Sequence, residues 1–300
     1  MNAETTSCKS NITREYSITA TELSKSFGTN QVLNGVSFQI PAGEIFGLLG
    51  PSGAGKTTLI KLLTGQLKPD EGHATLLGRD ALKLRAAEHG QIGMMMDNFG
   101  LYDRLSVMSN LAFYADIYQV SRSRIADILK SIGLYEARNT AVSKLSKGMK
   151  SRLSLARAFM NDPKILFLDE PTSGLDPVTT REIHDVLKAQ KRRGATIFLT
   201  THNMYEAEAL CDHVALLSRG RILEYGTPTD VRRKYNHLNR LQITLKNGQQ
   251  ISLENNGASA LQIKEYLEQE AIWAIHSTEP TLETVFIELT GEGLNTGADQ

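Results

Sequence analysis

The chain has 300 residues, and its 41% hydrophobic and 22% charged residues are typical of one or two globular domains. Its 33 basic side chains balance 33 acidic ones, so the whole chain has no excess charge with which to gather nucleic acid, and we expect no nucleic-acid partner. Cys8 and Cys211 fit neither a metal-ligand spacing nor a disulfide framework. No apolar run reaches the roughly 18 residues that a membrane-spanning helix needs.

The first third of the chain predicts a polar tail and then a β-rich layer. Residues 1–15 lack the apolar region of a signal peptide and predict a disordered tail. Alternating apolar and polar residues predict the strands of the layer at 16–23, 32–40 and 74–78. Between them, the apolar run 44–50 predicts a strand that enters a glycine-rich loop, and residues 57–65 predict the helix that follows.

The middle of the chain predicts a helical insert followed by alternating strands and helices. Apolar residues recur at helical spacing from about 103 to 160, in helices predicted at 106–120, 121–134 and 147–160. Downstream, strands are predicted at 164–170, 195–201 and 214–220, with helices at 179–194 and 204–213. Strands that alternate with helices after a glycine loop predict a parallel α/β sheet with helices on both faces.

The alternating pattern stops between Tyr225 and Asn239, which predicts a boundary between a main domain, 16–235, and a small C-terminal α+β domain, 236–291. The elements predicted for the second domain are a hairpin at 241–254, a helix at 259–270, a strand at 271–277 and a helix at 281–289. Residues 292–300 predict a second disordered tail.

The sequence from Gly50 to Thr57 has the pattern GxxxxGK[ST] of a phosphate-binding loop. Small residues let backbone N–H groups turn inward around phosphate oxygens, and the following helix directs its positive end at them. Lys56 would reach the β- and γ-phosphates, and Thr57 would place a hydroxyl on Mg²⁺. The pattern lies between a predicted strand and a predicted helix, which is the context that this chemistry requires.

Two adjacent carboxylates end the apolar strand ILFLDE. Because successive side chains of a strand point to opposite faces, Asp169 and Glu170 cannot perform the same task. We expect Asp169 to support the Mg²⁺ shell and Glu170 to face the attacking water as general base.

These motifs, together with LSKGMKSRLSLARA from Leu145, SGLD at Ser173–Asp176 and the isolated His202, resemble the nucleotide-binding subunit of an ATP-binding-cassette (ABC) transporter. The resemblance covers about residues 16–235. It implies a P-loop NTPase fold, an α/β parallel sheet with a small antiparallel β layer and a helical insert. It also implies that MgATP is bound and hydrolysed.

The resemblance assigns roles residue by residue. Phe27 matches the aromatic residue that stacks on adenine, and the phosphate loop comprises Gly50, Pro51, Ser52, Gly53, Ala54, Gly55, Lys56, Thr57 and Thr58. In this family two subunits enclose two ATP molecules, so Ser146 and Gly148 would contact the γ-phosphate bound to the partner. Asp176 would lie at the dimer seam, and His202 would sense the γ-phosphate beside Glu170.

Plainer explanations stay open for four of these features. Phe27 could be a core residue, His202 a structural histidine and Ser173–Asp176 an ordinary turn. Asp97 stands where the family usually has a glutamine that touches Mg²⁺; we expect it to be a Mg²⁺ ligand, the alternative being an aspartate turned to solvent. Lys147, in the segment LSKGM, also departs from the family pattern, because the commonest form of this segment has glycine at that position.

The resemblance implies a function in transport. Residues 281–291, TLETVFIELTG, resemble the closing helix of export-type subunits. We therefore expect a peripheral subunit on the cytoplasmic face of the membrane that pairs with a second ABC ATPase subunit and drives a transmembrane permease subunit. The alternative is an ABC ATPase acting on ribosomes or DNA, but such proteins usually carry two cassettes or long coiled coils, and this chain has one cassette and no such heptads.

Overall fold

The structure is a computed structural model that describes residues 15–96, 100–237 and 239–291. Its strands are β1 (Tyr16–Phe27), β2 (Asn30–Pro41), β3 (Ile45–Leu49), β4 (Glu71–Leu76), β5 (Arg79–Asp80), β6 (Ile92–Met95), β7 (Ile165–Asp169), β8 (Thr196–Thr201), β9 (His213–Ser218), β10 (Arg221–Gly226), β11 (Arg240–Leu245), β12 (Gln250–Glu254) and β13 (Ile272–Ser277). Its α-helices are α1 (Lys56–Leu63), α2 (Ala86–His89), α3 (Val107–Tyr118), α4 (Ser123–Ser131), α5 (Lys147–Phe159), α6 (Pro177–Arg192), α7 (Met204–Leu210), α8 (Pro228–Lys234), α9 (Ala260–Glu268) and α10 (Leu282–Thr290).

The central sheet has the strand order β10-β9-β3-β8-β7-β6, and all its neighbouring pairs are parallel except β10 with β9. Every residue of β3, β7 and β8 is buried, as expected for parallel strands covered on both faces. Along β7, Leu166 and Leu168 face one core, and Ile165 and Phe167 face the other. The predicted parallel sheet is confirmed.

A four-stranded antiparallel sheet, β2-β1-β4-β5, covers one face of the central sheet. The two sheets share a core in which Phe38 of β2 stacks on Phe46 of β3, with ring centroids 5.3 Å apart. Phe198 of β8 packs against Phe46 at the same distance. This is the small antiparallel layer that the alternating patterns predicted.

Helices α3 to α8 and α10 contribute to a second core, on the opposite face of the central sheet, whereas α1 packs in the core shared with the antiparallel sheet. The predicted insert contains α3, α4 and α5, and α5 packs against β6 of the central sheet as well as against α3 and α4. The sequence did not predict β10, which forms an antiparallel hairpin with β9. None of the residues of β10 is fully buried, so this edge strand has no apolar run to reveal it.

The C-terminal part forms a three-stranded antiparallel sheet, β12-β11-β13. The predicted hairpin, strand and final helix are present. Helix α10 packs against α7 and α8, and its side chains Leu282, Val285 and Phe286 belong to the helical core of the main part. In addition, Glu208 Oε1 of α7 accepts a hydrogen bond from the Leu282 backbone N–H at 2.7 Å. The final helix is therefore anchored on the part of the chain that carries the nucleotide motifs.

Candidate nucleotide site

The phosphate loop connects β3 to α1, as the sequence predicted. A side chain at Gly50 would place its Cβ 2.3 Å from the Leu217 carbonyl oxygen, so the loop can approach β9 only with glycine there. Gly55 precedes α1 with a φ of 107°, a left-handed conformation that favours glycine. These two positions explain why the loop can turn back on itself at the N-terminus of α1.

Lys56 lies inside this loop with only 8% of its side chain exposed. Its ammonium donates to the Gly50 carbonyl oxygen at 2.6 Å and to the Pro51 carbonyl oxygen at 3.3 Å. It also lies 3.1 Å from Oε1 of Glu170. The loop therefore wraps around the cation that the sequence assigned to the phosphates.

Asp169 ends β7 and is nearly buried, with 4% of the residue exposed. Its two carboxylate oxygens accept hydrogen bonds from the Thr57 hydroxyl at 2.8 Å and the Thr200 hydroxyl at 2.5 Å. Hydroxyl and carboxylate oxygens are the hard ligands that Mg²⁺ prefers, so the donor set of Thr57 and Asp169 fits this ion. Asp97, the third predicted metal ligand, lies outside the described residues.

Glu170 follows β7 in a left-handed backbone conformation, with a φ of 49°. This conformation is uncommon for a residue with a side chain and is often found at functional sites. Its backbone N–H is held by the Thr200 hydroxyl oxygen at 3.1 Å, and its Oε2 lies 2.8 Å from Nδ1 of His202. The carboxylate is thus placed between Lys56 and His202, residues that are far apart in the chain.

A cavity of about 550 Å³ brings most of the predicted site residues together. They are Pro51, Ser52, Gly53, Gly55, Lys56, Thr57, Thr58, Asp169, Glu170 and His202. The cavity is also lined by Lys147 and Ser151, one turn apart on α5, and by Ser173 and Leu175. No motif in the sequence points to Ser151 or Val32, which also line the cavity. Their contribution depends on the packing of α5 and β2, which no local motif encodes.

Six predicted residues within the described segments do not line this cavity. Gly50 and Ala54 belong to the phosphate loop itself, and the other four are Phe27, Ser146, Gly148 and Asp176. Phe27 lies at the end of β1, and 51% of the residue is exposed. Ser146 caps α5 by accepting from the Met149 N–H at 3.2 Å, and Gly148 lies beside Thr179 of α6. Their assigned contacts with adenine and with a partner's nucleotide stay predictions.

Asp176, the last of these residues, caps helix α6. Its Oδ1 accepts from the Val178 and Thr179 N–H groups, each at 3.0 Å, and its Oδ2 accepts from the Thr179 hydroxyl at 2.7 Å. The hydrogen bonds from Thr179 and Val178 lower the pKa of this carboxyl. Asp176 therefore stabilises the N-terminus of α6. Its place at a dimer seam stays a prediction.

Comparison with known proteins agrees with this geometry. A family model described as ABC transporter matches residues 33–173. A fluoroquinolones export ATP-binding protein of Mycobacterium tuberculosis is 39% identical over 267 residues, which cover 87% of this chain and 88% of that protein. The chain belongs to the ABC transporter family. The family assignment that the order of the motifs predicted is confirmed, and with it the assignment of the chain as an ATPase.

Other relatives of this ABC ATPase are similar over most of its length. The Nod factor export ATP-binding protein I of Rhizobium sp. (strain N33) is 36% identical over 287 residues, 89% of this chain and 94% of that protein. A solved structure of the ATP-binding subunit of an ABC transporter has a TM-score of 0.66 and 30% identity, covering 73% of this chain and 92% of that chain. The predicted fold class is therefore confirmed. Within the three described segments, no helix combines the length and the apolar character needed to cross a membrane.

Proposed function

We propose that this ABC ATPase powers an exporter, by hydrolysing ATP in a dimer that drives a separate membrane permease. The observation that carries the proposal is the placement of Glu170 between Lys56 and His202 in the wall of the phosphate cavity. The relatives described above are named as export ATP-binding proteins, which supports transport out of the cell.

Binding of ATP begins with Lys56, whose ammonium supplies charge-assisted hydrogen bonds to the β- and γ-phosphates. The phosphates must compete with Glu170 for this cation, because the ammonium lies 3.1 Å from the carboxylate. Thr57 and Asp169 would hold Mg²⁺, with Asp97 as a further ligand. When bound, Mg²⁺ neutralises charge on the phosphate oxygens.

Hydrolysis requires a water whose oxygen bonds to the γ-phosphorus while the bond to the β–γ bridging oxygen breaks, giving ADP and phosphate. Glu170 accepts the proton that this water loses. His202 orients the carboxylate through the 2.8 Å contact between Nδ1 and Oε2, and Lys56 stabilises the charge on the transferred group. The left-handed backbone of Glu170 keeps its side chain directed at the cavity.

A second ATPase subunit would complete each site. Ser146 is exposed at the N-terminus of α5, and the backbone N–H groups there favour a phosphate. Because Ser146 and Gly148 lie outside the cavity of their own chain, they are available to the nucleotide of a partner. Asp176, at the start of the neighbouring helix α6, would meet the partner at the same seam.

The permease would contact an exposed hydrophobic cluster formed by Tyr102, Phe113, Ile117 and Tyr118. Between 39% and 57% of each of these residues is exposed, although the opposite face of α3 is buried. The rings of Tyr102 and Phe113 pack edge to face with centroids 5.0 Å apart. An exposed cluster of this kind marks an interaction surface and would hold the ATPase at the membrane as a peripheral subunit.

The test compares ATP hydrolysis by the purified chain alone and with a candidate permease, reconstituted in lipid nanodiscs. We expect the permease to increase hydrolysis and Ile117→Ser to abolish this increase while leaving hydrolysis by the chain alone unchanged. Leu261→Ser is the matched control, because Leu261 is 78% exposed but lies on α9, away from the cluster and from the proposed dimer seam. Stimulation by ribosomes or DNA in place of the permease would overturn the proposal.

A further inference from the structure

Glu206 is a buried acidic residue behind the nucleotide site. It lies on α7, the short helix that begins just after His202, and only 3% of the residue is exposed. Its carboxylate accepts hydrogen bonds from the Thr172 hydroxyl at 2.6 Å and the Thr201 hydroxyl at 2.9 Å. His184 Nε2 lies 2.9 Å from the same carboxylate. Three separate elements therefore meet at one side chain.

A carboxylate is retained in such a place only when its charge is compensated, because burial of an ion without partners is costly. Burial raises the pKa of Glu206, but the hydrogen bonds from His184, Thr172 and Thr201 together lower it below the ordinary value. The group is therefore ionised at neutral pH, with each donor directed at a fixed negative charge. Charge-assisted hydrogen bonds of this kind are stronger than neutral ones and hold their partners more firmly.

Two of the partners of Glu206, Thr172 and Thr201, lie close in sequence to the residues that carry the proposed chemistry. Thr172 is two residues after Glu170, and Thr201 directly precedes His202. Glu170 has the left-handed backbone conformation described above, which persists only where the surroundings fix it. The 2.8 Å contact between Glu170 and His202 thus depends on the distance between the segment that follows β7 and the end of β8. Glu206 accepts a hydrogen bond from each of these two segments.

We infer that Glu206, supported by His184, is a positioning residue that keeps Glu170 and His202 in contact for hydrolysis. The inference rests on the proposed role of Glu170 as general base. Neither Glu206 nor His184 lines the nucleotide cavity. Their replacement therefore affects the rate of hydrolysis rather than the binding of ATP.

The experiment measures ATP affinity by calorimetry and hydrolysis per bound nucleotide for Glu206→Gln in the full chain. Glutamine keeps the size of the side chain but removes the charge that holds both loops. A displacement of about 1 Å of a reacting group costs on the order of 10²-fold in rate. We expect kcat to fall about 10- to 100-fold while the Kd for ATP stays within about threefold.

Matched variants separate positioning from general damage to the fold. Glu208→Gln changes the other acidic residue of α7 near this position, whose carboxylate contacts the Leu282 N–H instead of the catalytic loops; it should leave kcat unchanged. His184→Phe removes the donor to Glu206 and should lower kcat, whereas His184→Gln keeps an N–H donor and should restore most of it. This pair tests the inference even if Glu206→Gln does not fold.

A wild-type kcat in Glu206→Gln or in His184→Phe would overturn the inference. So would a parallel loss of hydrolysis and ATP binding, or equal rates in His184→Phe and His184→Gln, because each indicates a structural role only. Glu170→Gln is measured alongside. A full effect of Glu170→Gln with none of Glu206→Gln refutes only the positioning role, whereas equal hydrolysis by wild type and Glu170→Gln refutes the proposed function.

Discussion

The ammonium of Lys56 lies 3.1 Å from Oε1 of Glu170, so the phosphate-binding cation and the proposed general base form one ion pair. Only 8% of the lysine side chain and 18% of the glutamate side chain are exposed, which limits screening by water. A γ-phosphate that reaches Lys56 must therefore displace or share this carboxylate. The same approach brings the phosphate next to Glu170, where the attacking water has to be activated.

Glu170→Gln should separate binding from hydrolysis. The amide cannot accept a proton from water, and a positioned base contributes about 10²–10⁴-fold to the rate, so we expect hydrolysis to fall by that factor. ATP should bind at least as tightly, because the variant no longer has an anion that competes for Lys56. Single-turnover hydrolysis and calorimetry measure the two quantities. Weaker ATP binding than in the wild type would contradict the competition between phosphate and carboxylate.

The same variant should accumulate as an ATP-bound dimer if Ser146 and Gly148 contact the partner's nucleotide. Light scattering after gel filtration with ATP would show the doubled mass. Ser146→Ala in the Glu170→Gln background is the control and should reduce the dimer. A mass that does not change with ATP at high protein concentration would count against the dimer of the proposed function.

Lys56→Ala should weaken ATP binding at least tenfold. Each charge-assisted hydrogen bond to a phosphate contributes about 1.5–3 kcal/mol, and Lys56 is placed to form more than one. Calorimetry gives the affinity, with Lys61→Ala as the control, because Lys61 is exposed on the same helix α1. Unchanged affinity in Lys56→Ala would refute the assignment of the phosphate loop.

The sequence predicted those parts of the site that are encoded within one segment. The loop around Lys56 and the acid pair of Asp169 and Glu170 could be recognised because backbone geometry and strand alternation fix them locally. The cluster around Glu206 could not, because its partners Thr172 and His184 come from segments that only the folded sheet brings together. The packing of α10 on α7 was missed for the same reason.

Asp97 lies outside the described residues, so its role as a Mg²⁺ ligand stays a prediction. A second anion about 5 Å from the γ-phosphate would cost roughly 3 kcal/mol at an effective dielectric constant near 20, unless a cation compensates it. We therefore expect the hydrolysis of ATP to depend more steeply on Mg²⁺ concentration in the wild type than in Asp97→Gln. Identical curves of hydrolysis rate against Mg²⁺ concentration for the two proteins would favour the alternative, an aspartate turned to solvent.

The division at residue 236 also stays a prediction, and a chain ending at Asn236 tests it. All proposed nucleotide ligands precede this point, so the shortened chain should still bind ATP. It should be less stable, because Leu282, Val285 and Phe286 are buried in the helical core and each such side chain contributes about 1.5–3 kcal/mol. Thermal unfolding followed by circular dichroism measures the loss.

In the full chain, Phe286→Ala should cost about 3–5 kcal/mol, the usual cost of removing a buried aromatic ring. Ile287→Ala is the matched control on α10, because Ile287 is 43% exposed, and exposed substitutions usually change stability by less than about 0.5 kcal/mol. Equal stability of these two variants would show that α10 does not contribute to the core.

Glu206 should make stability depend on pH in a defined direction. Its pKa is lowered in the folded protein, because the hydrogen bonds from His184, Thr172 and Thr201 outweigh the effect of burial. The ionised group therefore contributes stability that is fully present above the unfolded pKa, about 4.3, and is lost as the pH falls through the lower folded value. Glu206→Gln lacks this contribution.

Urea unfolding should accordingly show the largest difference in unfolding free energy between wild type and Glu206→Gln at pH 7, and a smaller difference below pH 4. Titration of the other carboxylates cancels in this difference, since both proteins share them. A difference in unfolding free energy that stays constant or increases as the pH falls would contradict the stabilisation of the Glu206 carboxylate by its three partners.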